Sequence, residues 1–369
     1  MKNVLEWLET TVEKYPDKPA FSDTESSITF RQVYDIARNT GAYLVEQLGV
    51  DRTPVAVFAG RKMVTPAYFL GVVYAGRPYA PIDASLPDKR IEKILENLCP
   101  RAIVADRESL EHVESIVDEL EKSEGFDRPQ IFIAEDISRF EPVACADSNC
   151  KISESAGDAV TDSENDTDGG VVASCAGKAD DSSLEKLAAV RRQMSMTDPL
   201  YIIYTSGSTG NPKGVMTSHL SLMTYINAYC DVMHIEESDV LGNQSPLDYI
   251  AAIRDIYLPL KTGCSTAIIP KEYFMEPNAL FDYMNDKKVS SVGWSVSAFT
   301  ILTSLGAFEE VGLNSLRKIC FSGSVMPCRV LRKWQENLPE AHFVNQYGPT
   351  EATASCTYYS VDHTVEDDE

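Results

Sequence analysis

No stretch of this chain is long and apolar enough to cross a bilayer. Its start, Met1-Lys2-Asn3-Val4-Leu5-Glu6-Trp7-Leu8-Glu9, spaces apolar residues helically between acids, which is not the pattern of a secretory leader. A soluble, cytoplasmic protein without a membrane partner is expected. Cysteine is sparse and scattered, nine residues with no CxxC pair, which argues against a disulfide framework and a zinc site; the five histidines form no sequence-local metal cluster. Basic residues are outnumbered, 33 against 56 acidic, and a net charge of −23 excludes nucleic acid as an expected partner, because a polyphosphate backbone needs a basic face. Aromatic residues are absent between Phe140 and Tyr201, where Ser, Asp, Glu, Ala and Gly dominate. Such a composition buries too little apolar surface to offset the entropy of ordering, so residues 146–183 are expected to form a disordered acidic insertion. Asp162, Glu164, Asp166 and Asp168 faintly imitate a calcium loop but lack its glycine and terminal Glu.

Elsewhere the chain alternates between strand-like and helix-like runs. Ile28–Phe30 leads into a helical stretch through Leu48; Val55–Ala59 reads as a buried strand, Met63–Ala75 as a helix, Tyr79–Asp83 as a strand and Lys89–Leu98 as a helix. Strands are expected at Ala102–Ala105, Ile131–Ala134, Thr266–Ile269, Val289–Trp294, Ile319–Phe321 and Phe343–Asn345, with helices at Asn278–Asp286, Ala298–Leu305 and Cys328–Leu338. This βα alternation implies a layered α/β architecture with buried parallel strands, built as one large domain or two intimate ones.

The stretch around which the rest is organised is Thr205-Ser206-Gly207-Ser208-Thr209-Gly210-Asn211-Pro212-Lys213-Gly214. It follows the β-forming run Leu200–Tyr204 and precedes a helix-like stretch from Ser218. Glycines let backbone approach an anion, hydroxyls and N–H groups donate to its oxygens, and a lysine supplies positive charge. Pro212 before Lys213, and glycine after it, separate this loop from the common P-loop of nucleotide-binding proteins. A second signal is Asn345-Gln346-Tyr347-Gly348-Pro349-Thr350-Glu351, which sets an aromatic face, a hydroxyl and a carboxylate in one short turn. An ATP site needs those three for adenine, the α-phosphate and a magnesium ion.

Both stretches, with Gly71–Arg90 as a further block that has Tyr74–Asp83 at its centre, resemble the adenylate-forming superfamily, and nearly the whole chain outside the insertion is most similar to D-alanine–carrier-protein ligases and the amino-acid adenylation domains of nonribosomal peptide synthesis. The resemblance implies the layered βα subdomains of that superfamily's large N-terminal lobe, with the C-terminal lobe absent from these 369 residues. It implies that Thr205, Ser206, Gly207, Ser208, Thr209 and Gly210 contact the phosphates of ATP, that Lys213 sits in the mobile phosphate loop, and that Asn345, Gln346, Tyr347, Gly348, Pro349 and Thr350 surround the adenosine. Tyr347 would stack on the base and Glu351 would bind Mg2+. Thr205, Lys213 and Glu351 are accordingly the expected catalytic residues. The implied reaction is attack by a substrate carboxylate on the α-phosphate, giving an acyl-adenylate and pyrophosphate, then acyl transfer to the phosphopantetheine thiol of a carrier protein. A carboxylate needs no general base, so catalysis reduces to alignment and charge neutralisation.

Two departures bear on the substrate. Amino-acid-activating relatives pair the substrate ammonium with an aspartate; aligning Asp255-Ile256-Tyr257 with the helix after that residue puts Ile250 in its place, with Asp248 two residues earlier. Either Asp248 serves, or no carboxylate reads the amine. Ser322, in Phe321-Ser322-Gly323-Ser324, stands at the pocket wall where D-alanine ligases carry cysteine, and Ala354 is a further small pocket position. A small or medium amino acid is the expected substrate. The alternatives are a non-amino carboxylic acid, or a non-catalytic nucleotide-binding or partner-binding remnant.

Overall fold

The structure is a computed structural model that describes residues 2–123, 125–140, 181–206 and 211–366. Fourteen strands are found among these residues. β1 (Pro19–Ser22) and β2 (Ser27–Thr29) are followed by β3 (Val55–Phe58), β4 (Tyr79–Pro81), β5 (Ala102–Ala105), β6 (Gln130–Ile133), β7 (Pro199–Ser206) and β8 (Pro212–Ser218). The remainder are β9 (Val240–Asn243), β10 (Ser265–Ile268), β11 (Ser291–Ser295), β12 (Lys318–Ser322), β13 (His342–Tyr347) and β14 (Thr357–Val361). They form an eight-stranded sheet in the order β14-β13-β12-β11-β9-β10-β1-β2 and a six-stranded sheet in the order β6-β5-β3-β4-β7-β8. Interior pairings are parallel, while β1–β2, β13–β14 and β7–β8 are antiparallel. β3 and β5, sandwiched by helices, are buried at every residue, which is why Val-Ala-Val-Phe and Ala-Ile-Val-Ala show no polar alternation.

Three apolar cores define five layers. The central core joins the two sheets, taking Val55, Tyr79 and Tyr201 from one and Leu241, Cys320 and Val344 from the other. Helices Leu5–Lys14, Phe30–Leu48, Thr65–Tyr74, His219–Met233 and Ile253–Thr262 fill it. Helices Asp88–Leu98 and Leu110–Glu121 cover the outer face of the six-stranded sheet. Pro277–Asp286, Val296–Ser304 and Cys328–Asn337 cover the outer face of the eight-stranded one. The Phe30–Leu48 helix starts where Thr29 and Gln32 close a reciprocal capping box, so its position is set locally. No helix among the described residues is long and apolar enough to cross a membrane.

The expected strands and helices are found within one to three residues of their ends, but the segment after the phosphate loop differs. Pro212–Ser218 is a strand, β8, and the helix begins at His219 with Ser218 as its cap. Pairing with β7 and the β-formers Val215 and Thr217 outweigh the turn signal of Pro212-Lys213-Gly214. Ala134, expected to end a strand, opens the short helix Ala134–Ile137. Residues 146–180 of the expected insertion, with its calcium-loop-like acids, lie outside the described residues; residues 181–183 open the helix Asp181–Gln193.

Candidate active site

The first motif is a β-hairpin. Thr205 at the end of β7 pairs with Lys213 at the start of β8, and Ser206 with Pro212; Thr205 Oγ1 donates to the Lys213 carbonyl at 3.4 Å. Lys213 therefore sits on a strand instead of a mobile loop, with its side chain exposed. Gly207, Ser208, Thr209 and Gly210 lie outside the described residues. The Asp88–Leu98 helix steadies the base of the hairpin. Tyr204 donates its hydroxyl to Asn97 Oδ1 at 2.8 Å, and Lys93 Nζ donates to Asn211 Oδ1 at 3.0 Å.

The second motif closes β13. Asn345, Gln346 and Tyr347 are its last residues, Gly348-Pro349 turns the chain, and Thr350–Ala352 forms one 3₁₀ turn before left-handed Thr353 and Ala354 lead back into β14. Gly348 is required by space: a Cβ there would lie 2.5 Å from Ser355 Cα and 2.8 Å from the Ala354 carbonyl oxygen, both backbone. Gln346 is buried and accepts from Ser355 Oγ at 3.2 Å, while the neighbouring Asn345 and Tyr347 turn outward. β8 packs against the Thr350–Ala352 turn, which brings the two motifs to one place. Glu351 is exposed there.

Beside this turn opens a cleft of about 610 Å³, lined by Gly323, Ser324, Val325, Asn345, Tyr347 and Tyr359 among others. Tyr347 is 71% and Val325 91% exposed, so an aromatic face and an apolar edge are offered to solvent at its mouth. A flat heteroaromatic ring fits such a surface.

The expected acid-pocket residues come from separate stretches of the chain. Ser322 ends β12 half-buried, Gly323 follows it, and Ala354 packs half-buried against the central core. Ile250 is 6% exposed and opens the 3₁₀ turn Ile250–Ala252 within that core. Asp248 is half-buried; burial first, and Asp83 second, push its carboxyl up to about 6 against the pull of Arg90.

A charged network that the motifs do not announce lies one helical turn beyond Ile250. Arg61, from the loop after β3, donates to the Asn243 carbonyl at 2.8 Å and to its Oδ1 at 2.9 Å. Asn243 Nδ2 donates to Asp255 Oδ2 at 2.9 Å, Thr266 Oγ1 donates to the Asp255 carbonyl at 2.6 Å, and Arg254 Nε stands 3.4 Å from Asp255 Oδ1. Burial lowers Arg61 to about 10 although Asp255 favours its charge. The sequence signal was available: Arg254-Asp255 interrupts the otherwise apolar run Ile250–Leu260 with adjacent opposite charges.

A family model described as AMP-binding enzyme matches residues 8–369. The D-alanine–D-alanyl carrier protein ligase of Bacillus licheniformis is 27% identical over 357 residues, covering 95% of this chain and 60% of its own length. That of Bacillus cereus strain Q1 is 28% identical over 365 residues, covering 99% and 62%. The chain thus spans about three fifths of the curated relatives it matches. Among solved structures, the nonribosomal peptide synthetase FmoA3 (S1046A) superposes with TM-score 0.74 at 19% identity, over 99% of this chain and 33% of that one. The four-domain synthetase AB3403, bound to AMP and glycine, does so with TM-score 0.72 at 19% identity, over 98% and 22%. At that identity the likeness is one of fold.

Proposed function

The chain belongs to the AMP-binding enzyme family, and from that premise we propose that it activates a small carboxylic acid, an amino acid, as the acyl-adenylate with release of pyrophosphate. The acyl group then passes to the phosphopantetheine thiol of a carrier protein. The observation that supports this reading is the packing of β8, whose first residues pair with Thr205 and Ser206, on the Thr350–Ala352 turn. ATP is the co-substrate, which suits a cytoplasmic setting. Tyr347 and the cleft beside it would take the adenine, Thr205, Ser206 and Thr350 would donate to phosphate oxygens, and Lys213 would bring positive charge to them. Mg2+, held at Glu351, would neutralise developing charge on the leaving pyrophosphate. Alignment does the rest, because the acid arrives already ionised.

The amino-acid preference draws on the relatives named for D-alanine and on the neighbour bound to AMP and glycine. Ser322 in the wall argues for an acid other than D-alanine. Thermal denaturation with and without Mg-ATP tests nucleotide binding, and pyrophosphate exchange across amino, aryl and short fatty acids tests the chemistry. Stabilisation by Mg-ATP and exchange with amino acids are expected. Exchange confined to aryl or fatty acids overturns the amino-acid assignment, and no response to Mg-ATP overturns the whole.

A further inference from the structure

One helix bonds both arms of the β7–β8 hairpin, and the reaction above gives those bonds no task. We infer that Asn97 and Lys93 are positioning residues for adenylation, a clip on helix Asp88–Leu98 that sets where the hairpin presents its groups to the triphosphate. This role rests on the adenylation reading and assigns further residues to it.

Three observations build the clip. Lys93 and Asn97 are four residues apart on the helix, so they stand on one face of it. That face meets the two necks of the hairpin: the Tyr204 hydroxyl donates to Asn97 Oδ1 at 2.8 Å, and Lys93 Nζ donates to Asn211 Oδ1 at 3.0 Å. Tyr204 directly precedes Thr205, and Asn211 stands two residues before Lys213, so each bond lies beside a residue that the proposed reaction sets against phosphate. The third observation is Gly214. It pairs with Tyr204 across the hairpin, and a Cβ there would lie 3.1 Å from Tyr204 Cζ and 3.3 Å from its hydroxyl oxygen. The glycine after Lys213 thus leaves the room in which the Tyr204 ring reaches Asn97.

Energetics assign these bonds to the ligand more than to the fold. The helix is held by Ile91, Ile94, Leu95 and Leu98, all buried in the outer core of the six-stranded sheet, and the Tyr204 ring packs against the same core. The helix is therefore a fixed post that stands without the clip. Lys93 and Asn97 are exposed, where a hydrogen bond contributes little to stability because water replaces either partner. Alignment gives such a bond its leverage: a shift of about 1 Å at reacting groups can cost about a hundredfold in rate. Burial pushes the Tyr204 hydroxyl up to about 12, so it remains a donor throughout the neutral range. Lys93 ends on an amide instead of a carboxylate, so this contact leaves its positive charge uncancelled beside the neck of the hairpin.

The experiment uses the 369-residue chain and compares calorimetric affinity for a non-hydrolysable ATP analogue with Mg2+ against that for AMP, titrated in competition with the analogue. AMP lacks the two outer phosphates, so it reports the adenosine end of the site alone. Asn97→Ala, Tyr204→Phe and Lys93→Met should each weaken the analogue by about fivefold or more while AMP stays within about twofold. The urea midpoint should not move. Asn97→Ala and Tyr204→Phe together should cost no more than either alone, because both remove the same bond. Lys93→Arg should recover most of what Lys93→Met loses. Undiminished analogue affinity in Asn97→Ala and Tyr204→Phe, equal losses for analogue and AMP, additive losses in the double variant, or a lowered urea midpoint overturns the assignment. A parent chain that does not bind the analogue sinks the adenylation reading itself; one that binds it no better than its variants sinks only the clip.

Discussion

Lys213, Tyr347 and Glu351 stand exposed around the hairpin and the β13 turn, whereas Arg61, Asn243 and Asp255 hold one another at the junction of the two sheets. In the first region the side chains have room for a ligand, and the local backbone carries the precision: the β7–β8 register and the Gly348 turn fix where they point. In the second, precision resides in side chains bonded across a long sequence separation, and changing one leaves its partners stranded in a medium where unpaired polar groups are expensive. Exposed chemistry should therefore be removable without unfolding the chain, and buried chemistry should not.

The sharpest way to break this contrast is Asp255→Ala, which strands Arg254 and the Asn243 amide and should destabilise by about 3–5 kcal/mol in urea denaturation. A loss too small to measure would show that the network is not holding the sheets. Gly348→Ala tests the backbone side of the comparison. Its methyl meets backbone at 2.5 Å, so the turn must shift, with about 1–3 kcal/mol lost and with Mg-ATP stabilisation weakened as well; retention of both would mean that the turn relaxes freely.

Asp248→Asn asks on which side of the contrast this half-buried carboxylate falls. Its folded-state value of about 6 exceeds the ordinary 3.8, so the folded chain keeps a proton that the unfolded chain releases between those pH values. The penalty is absent below about pH 4 and complete above about pH 6. Asp248→Asn should therefore stabilise the ligand-free chain by about 1–2 kcal/mol at pH 7.5, with no gain at pH 4. A gain independent of pH would separate it from ionisation. The smallest effect on the fold belongs to Glu351→Ala, which should leave the urea midpoint unchanged while reducing the thermal shift from Mg-ATP. An equal shift in mutant and parent would remove Glu351 from the metal site.

Legibility in the sequence divides along the same line. Helix Phe30–Leu48 announces itself through Thr29, Gln32 and its apolar spacing, and β3 and β5 through short runs of buried β-formers, because these signals are local. The two motifs stood out because few residue types offer a hydroxyl, a glycine and a charge in such order. β8 was read as loop and helix entry because its strand character depends on β7, and β1 was not singled out because its parallel partner is β10, far along the chain. The Arg61–Asn243–Asp255 chain joins three segments that share no motif, so only packing could assemble it. Helix Ile253–Thr262 did carry a warning: two charges amid apolar neighbours on an element buried on nearly every side.

The charged network at Arg254 also has an evolutionary direction, because a side chain at 293 would overlap its guanidinium. Enlarging position 293 first would drive a methyl into a buried cation, whereas shortening Arg254 first opens the volume that a larger residue at 293 could then occupy. The two positions are therefore expected to be epistatic: of the two mutational orders between this arrangement and one with a side chain rising from β11, only the path that begins at Arg254 avoids a clashing intermediate.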